Sequence, residues 1–178
     1  MEPGIIGGME IDLAGEPAAS GRMADLYVAH LPAAIRLARV LTGSVDDAED
    51  LAQEAFIRAV GRFADLRNRE MFPVYLRRAV INASKMRARR RIVAGRHEPL
   101  VWSRREPATL SPEIEERDRL SRALMTLPER QRAALALRFY CDLSEAETAE
   151  ILGCRRGTVK SLVSRGVEAM RTALGGTS

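Results

Sequence analysis

Apolar residues recur along most of this chain at the three- and four-residue intervals of a helix face, and the breaks in that rhythm mark the elements. Leu26, Tyr27, Leu31, Ala34, Ile35, Ala38 and Leu41 predict a helix from Met23 to Leu41, ending at Thr42-Gly43, with Pro32 as a kink or as a boundary between two shorter helices. Ser44 then caps a second helix. Its first turns hold Asp46, Asp47, Glu49 and Asp50, where negative charge suits the positive end of the helix dipole. Ala48, Leu51, Ala52, Ala55, Phe56, Ala59, Val60 and Phe63 form its buried stripe, and Asp50, Gln53, Glu54, Ile57 and Arg58 lie opposite.

A third helix is predicted from Pro73 to Arg91, and no acidic residue interrupts Met71 to His97. Residues 92–111 have no period and scatter Gly95, Pro99, Pro107 and the single Trp102 among arginines, as a linker does. Ser111-Pro112 opens the next helix, since Ser caps and Pro suits the first turn; Ile114, Leu120, Ala123 and Leu124 are its buried positions. Thr126-Leu127-Pro128-Glu129 starts another, with Ala133, Ala134, Leu135, Leu137 and Phe139 apolar.

From Asp142 to Arg165 the pattern becomes specific. Ser144 and Glu147 form a capping box; Ala146, Ala149, Ile151 and Leu152 supply a stripe; Gly153 suits a left-handed turn; Val159, Leu162 and Val163 resume the helical spacing. This is a helix-turn-helix whose second helix carries Arg155, Arg156, Thr158, Lys160, Ser161, Ser164 and Arg165 on its remaining faces, side chains suited to phosphates and base edges in a major groove. Val167, Met170 and Leu174 close the unit.

Composition and charge sharpen this picture. A length of 178 residues allows one domain or two small ones, and no apolar run approaches the roughly 20 residues of a membrane span. The net charge of +4 understates the clustering of basic residues, of which only Lys85 and Lys160 are lysines. Residues 1–21 hold four acidic residues and no basic one, and read as a disordered acidic tail. Cys141, Cys154, His30 and His97 have no metal-ligand spacing, so neither a metal nor a cofactor is expected. The start of the chain has no secretory pattern, which places the protein in the cytoplasm.

Function candidates follow from the charged faces. Asn82 as a base-edge reader, with Arg77, Arg78, Lys85, Arg87 and the arginines at 89–91 along a phosphate backbone, suits nucleic acid with unpaired bases, and Phe72 and Tyr75 serve either as aromatic platforms for it or as core. An enzyme acting on nucleic acid would need a metal cluster, paired carboxylates or a phosphate-binding loop, and none is present in the sequence. A stand-alone helix-turn-helix regulator of duplex DNA is the alternative, but it leaves the acidic face and the aromatic-basic helix without work.

Four ordered motifs carry a resemblance: Asp47-Ala48-Glu49-Asp50-Leu51-Ala52-Gln53-Glu54-Ala55-Phe56, Tyr75-Leu76-Arg77-Arg78-Ala79-Val80-Ile81-Asn82, Leu127-Pro128-Glu129-Arg130-Gln131-Arg132, and the helix-turn-helix. Between Met23 and Leu174 the chain resembles a bacterial RNA polymerase sigma factor of the extracytoplasmic-function group, close to the SigE-like actinobacterial kind. The resemblance implies an all-α protein of two small helical domains joined by a flexible linker. Residues 22–92 would dock on the beta-prime clamp helices of core RNA polymerase through Asp50, Gln53, Glu54 and Ile57, and open the minus-ten element, with Asn82 capturing a flipped base. After a linker over 93–111, residues 112–178 would rest on the beta flap and read the minus-thirty-five element of promoter DNA. It also implies an anti-sigma partner, no membrane insertion and no catalysis by the chain itself. Val74 stands where the family commonly has Trp, so one stacking or packing aromatic is missing from the melting surface; Arg155 stands where the family frequently has Pro and Leu162 where it frequently has Arg, so its exact minus-thirty-five sequence is not carried over.

Overall fold

The computed structural model describes residues 16–63, 69–93, 102 and 111–175. Helix α1 spans Glu16–Thr42, α2 Val45–Phe63 and α3 Phe72–Val93, the last preceded by a 3₁₀ turn at Arg69–Met71. Pro17 lies in the first turn of α1, where its missing N–H costs nothing, so the helix begins inside the stretch expected to be an acidic tail. Residues 1–15 lie outside the described residues. Pro32 sits within a single continuous helix. Ser44 caps α2 as anticipated, its hydroxyl accepting the Asp47 N–H at 3.3 Å.

The three helices pack around Leu37, Leu41, Leu51, Phe56, Phe72, Val80 and Ile81. Alanines 38, 48, 52, 55 and 59, all buried, let α1, α2 and α3 approach closely. Of the linker expected over 93–111, Val93 ends α3, and Trp102 and Ser111 are described; the remainder lies outside.

The second unit holds α4 at Pro112–Met125, α5 at Glu129–Leu135, α6 at Glu145–Leu152 and α7 at Arg156–Ala173. Helix α5 runs straight into a π-turn at Ala136–Tyr140. The wider turn advances each residue by less than 100°, which carries Phe139 off the stripe that ends at Leu137. Phe139 is therefore 65% exposed instead of buried. Leu120, also expected in the core, is 40% exposed beside a cavity at the edge of the unit.

In the helix-turn-helix the capping box forms both of its bonds: Ser144 Oγ accepts the Glu147 N–H at 3.2 Å, and the Glu147 carboxylate accepts the Ser144 N–H at 2.8 Å. Gly153 turns at φ 62°, a left-handed conformation that Gly adopts without steric cost. Ala149, Ile151 and Val159 are buried, while Ala146 is exposed rather than part of the stripe. Helix α7 crosses α5 so closely at Gly166 that an added Cβ would stand 3.0 Å from Leu135.

The units pack against each other. Ala133, Ala136, Leu137 and Ile151 join the core built by α1–α3. Among the described residues no helix is long and apolar enough to cross a membrane.

Candidate nucleic-acid interface

A groove of about 850 Å³ runs between the C-terminal half of α2 and the middle of α3. Tyr75, Arg78, Asn82 and Lys85 line it, because positions three and four apart share a helix face. Arg58, Arg62, Met86 and Arg89 complete the wall. Arg89 belongs to the arginine run expected along a phosphate backbone and, seven residues beyond Asn82, shares its helical face. Arg58 is expected only opposite the α2 stripe, and Arg62 carries no expectation from the sequence. Among the described residues the groove thus presents five cationic side chains and an exposed amide, with no carboxylate in its lining.

Three other α3 residues expected at the same surface do not reach it. Phe72 is fully buried, its ring edge-on to Phe56 at 5.6 Å between centroids and tilted against His30 at 5.3 Å. It is core, wedged between Phe56 of α2 and His30 of α1. Arg87, about 140° around the helix from Asn82, is ion-paired with Asp47 at the start of α2. Arg77 faces the second unit, where it is bonded to the half-buried Cys141 thiol; burial raises that thiol's pKa, and Arg77 pulls it partly back. Arg78 lines the groove but also donates to the Glu150 carbonyl of α6 at 2.5 Å.

On α7, Arg155, Arg156, Lys160, Ser161, Ser164 and Arg165 are exposed and Thr158 is half-buried, so the basic face of the second helix is accessible as expected. Lys160 lies 3.9 Å from Glu145, an exposed contact worth little that yields readily to a phosphate. Ser161 Oγ donates to the Gly157 carbonyl at 3.1 Å, leaving its lone pairs for a donor outside the helix.

The outer face of α2 presents Asp50, Gln53, Glu54 and Ile57 together, and Ile57 is 71% exposed. Glu54 pairs with Arg58 at 2.6 Å across one helical turn, in the favourable orientation of acid before base.

Where the units meet, Glu129 at the start of α5 is half-buried, with its Oε1 lacking a hydrogen-bond partner among the described residues. Burial raises its pKa, and Arg132, Lys85 and Arg89 offset part of the rise. A carboxyl held above its unfolded value favours the protonated fold. Its contribution is therefore complete below the unfolded pKa of about 4.3 and is lost as pH rises through the raised folded value. Glu129→Gln is expected to melt at a higher temperature than the parent at pH 7 and at the same temperature near pH 4. A difference independent of pH would disprove this account.

A sigma-70 region 2 family model matches residues 26–92, and a sigma-70 region 4 model matches residues 117–170. The chain is 31% identical to the ECF RNA polymerase sigma factor SigW of Bacillus subtilis, with 75% of this chain and 79% of that protein covered. It is 34% identical to the RNA polymerase sigma-E factor of Streptomyces coelicolor, with 80% of each covered. Among solved structures, it is similar to the sigma factor RpoE in complex with the anti-sigma factor NepR from Bartonella quintana. That likeness has a TM-score of 0.69 at 27% identity and covers 88% of this chain and 99% of that one.

Proposed function

Because the chain belongs to the extracytoplasmic-function sigma factors of the sigma-70 family, which act with RNA polymerase in promoter-specific initiation, we propose that its two units divide the promoter between them. Residues 22–92 form the polymerase-docking and minus-ten domain, residues 93–111 the linker, and residues 112–178 the minus-thirty-five domain. The observation that carries this reading is the groove in which exposed Asn82 lies among Tyr75, Arg78, Lys85, Arg58, Arg62 and Arg89. It offers an amide for a base edge, a ring for stacking and cations for the strand's phosphates. Flipping a base costs a few kcal/mol, which contacts of this kind offset.

Asp50, Gln53, Glu54 and Ile57 bind the beta-prime clamp helices, and the second unit rests on the beta flap. Arg155, Arg156, Thr158, Lys160, Ser161, Ser164 and Arg165 meet the minus-thirty-five duplex. The chain carries no catalysis of its own and works in the cytoplasm. An anti-sigma factor is its further partner, a reading supported by the likeness to RpoE bound to NepR.

Two elements about 25 base pairs apart lie roughly 85 Å from each other along B-DNA at 3.4 Å per pair. A compact chain of this length has a radius of gyration near 16 Å, hence a breadth of only about 40 Å. The two units therefore part on the promoter, and Arg78 exchanges the Glu150 carbonyl for DNA.

Transcription by core polymerase across a genomic promoter library, with and without this protein, tests the reading; no gain in promoter-specific initiation defeats it. Asn82→Ala is expected to impair promoter opening more than closed-complex formation, as followed by permanganate reactivity beside duplex retention. Equal loss in both would argue against base capture. Lys160→Ala and Arg165→Ala should each weaken minus-thirty-five binding by about 1–3 kcal/mol where the lost contact is bidentate to a base. Unchanged binding would take those residues off the interface.

A further inference from the structure

The seam between the units encloses a second cavity, of about 470 Å³, which promoter recognition does not use. Its apolar wall includes Leu120, Leu124 and Met170 from the second unit and Val40 from α1. Four arginines stand around it: Arg36 and Arg39 from α1, Arg117 from α4 and Arg171 from α7. Among the described residues no carboxylate belongs to the lining. Three described carboxylates beside lining residues have partners of their own: Glu116 pairs with Arg119 at 3.7 Å, Asp118 accepts the Trp102 indole N–H at 3.1 Å, and Glu168 pairs with Arg171 at 3.6 Å.

We propose that this cavity binds a single-chain fatty carboxylate, its alkyl chain lying along Leu120, Leu124 and Met170 and its head group between Arg39 and Arg117. The volume falls in the range of small-ligand sites, about 300–1,000 Å³, and suits one chain better than the two of a bilayer lipid. Aliphatic walls and a guanidinium rim match the two ends of such a molecule, since guanidinium meets carboxylate in a planar two-point contact. The field is already strained in the right sense. Burial, and then repulsion from Arg117, lower the pKa of the Arg39 guanidinium, and Asp118 only partly compensates. An anion between the two relieves that repulsion. Arg39 also lies 4.5 Å over the Trp102 ring, which ties the single tryptophan to the site.

The walls come from both units, so the cavity exists only while they are packed together. Occupancy is thereby linked to the compact form, and a ligand that binds one form alone raises its stability by mass action.

Trp102 makes the test direct on the full chain free in solution, independently of promoter activity. Dodecanoate titrated below its micelle concentration is expected to change Trp102 emission saturably and to raise Tm with concentration. Dodecan-1-ol and dodecylammonium, with the same chain and the wrong head, should bind about tenfold weaker or less. Arg117→Ala should weaken dodecanoate by a similar factor, and Leu120→Asp, at an exposed position where folding tolerates charge, should abolish the change. Absence of a saturable signal, an alcohol as effective as the acid, or parental titration by both variants would each overturn the proposal. Failure here leaves the promoter reading intact, since no polymerase or DNA enters the measurement.

Discussion

Phe72→Ala is expected to lose about 3–5 kcal/mol of folding stability, a large share of the roughly 5–15 kcal/mol that holds a domain together. The ring is wholly buried, edge-on to Phe56, which is itself edge-on to Tyr27 at 5.2 Å, so truncation removes one member of an aromatic chain linking α1, α2 and α3. Such pairs add about 0.5–1.5 kcal/mol beyond area burial, and the cavity left behind cannot be refilled by the small alanines nearby. Urea denaturation should show the midpoint falling with little change in slope, and promoter opening should fall only in proportion to the folded fraction. A variant that keeps parental stability yet fails to open promoters would restore Phe72 to the nucleic-acid surface.

Phe72 also marks how far the sequence could be read. Among the described residues helical spacing located α1 to α7, although α1 starts earlier than expected, and the capping box, the Gly153 turn and Pro112 in a first turn were visible because they depend on neighbours within four residues, whereas Ser111, expected to cap α4, makes no side-chain cap bond. The α2 outer face and the basic face of α7 were legible for the same reason, since one helix sets both. What sequence alone does not show is which way α3 turns against its partners. An aromatic followed by Pro at a helix start looks the same whether it packs or stacks, and only its contacts with Phe56 and His30, distant in sequence, settle which. Arg62 was missed because the groove it lines is built by two helices. Phe139 was misjudged because a π-turn changes the period within five residues. The seam and its cavity depend on contacts between distant segments, for which local periodicity carries no signal.

Reversing two charges on α2, Asp50→Lys with Glu54→Lys, is expected to weaken binding to core polymerase by about a hundredfold or more. Each carboxylate matched to a basic partner surface is worth about 2–5 kcal/mol when it becomes buried there, and reversal adds repulsion to the loss. The fold should hardly notice. Both side chains are exposed, and the Glu54–Arg58 pair, at 2.6 Å with each partner nearly half exposed, contributes only about 0.3–0.5 kcal/mol as a helix-surface pair. Duplex binding by α7 should also be untouched, because these residues lie on the other unit, so a mobility-shift assay on minus-thirty-five DNA serves as the internal control. Salt separates the two components of the docking face. Parental affinity should fall as ionic strength rises and exposed charges are screened, whereas the contribution of Ile57, an apolar side chain set among polar neighbours, should persist. Ile57→Ala is then expected to weaken binding by a similar factor at low and high salt, and the charge-reversed pair to weaken it most at low salt. Parental affinity in the double variant, with folding intact, would move polymerase docking off α2 and return that acidic face to solvent.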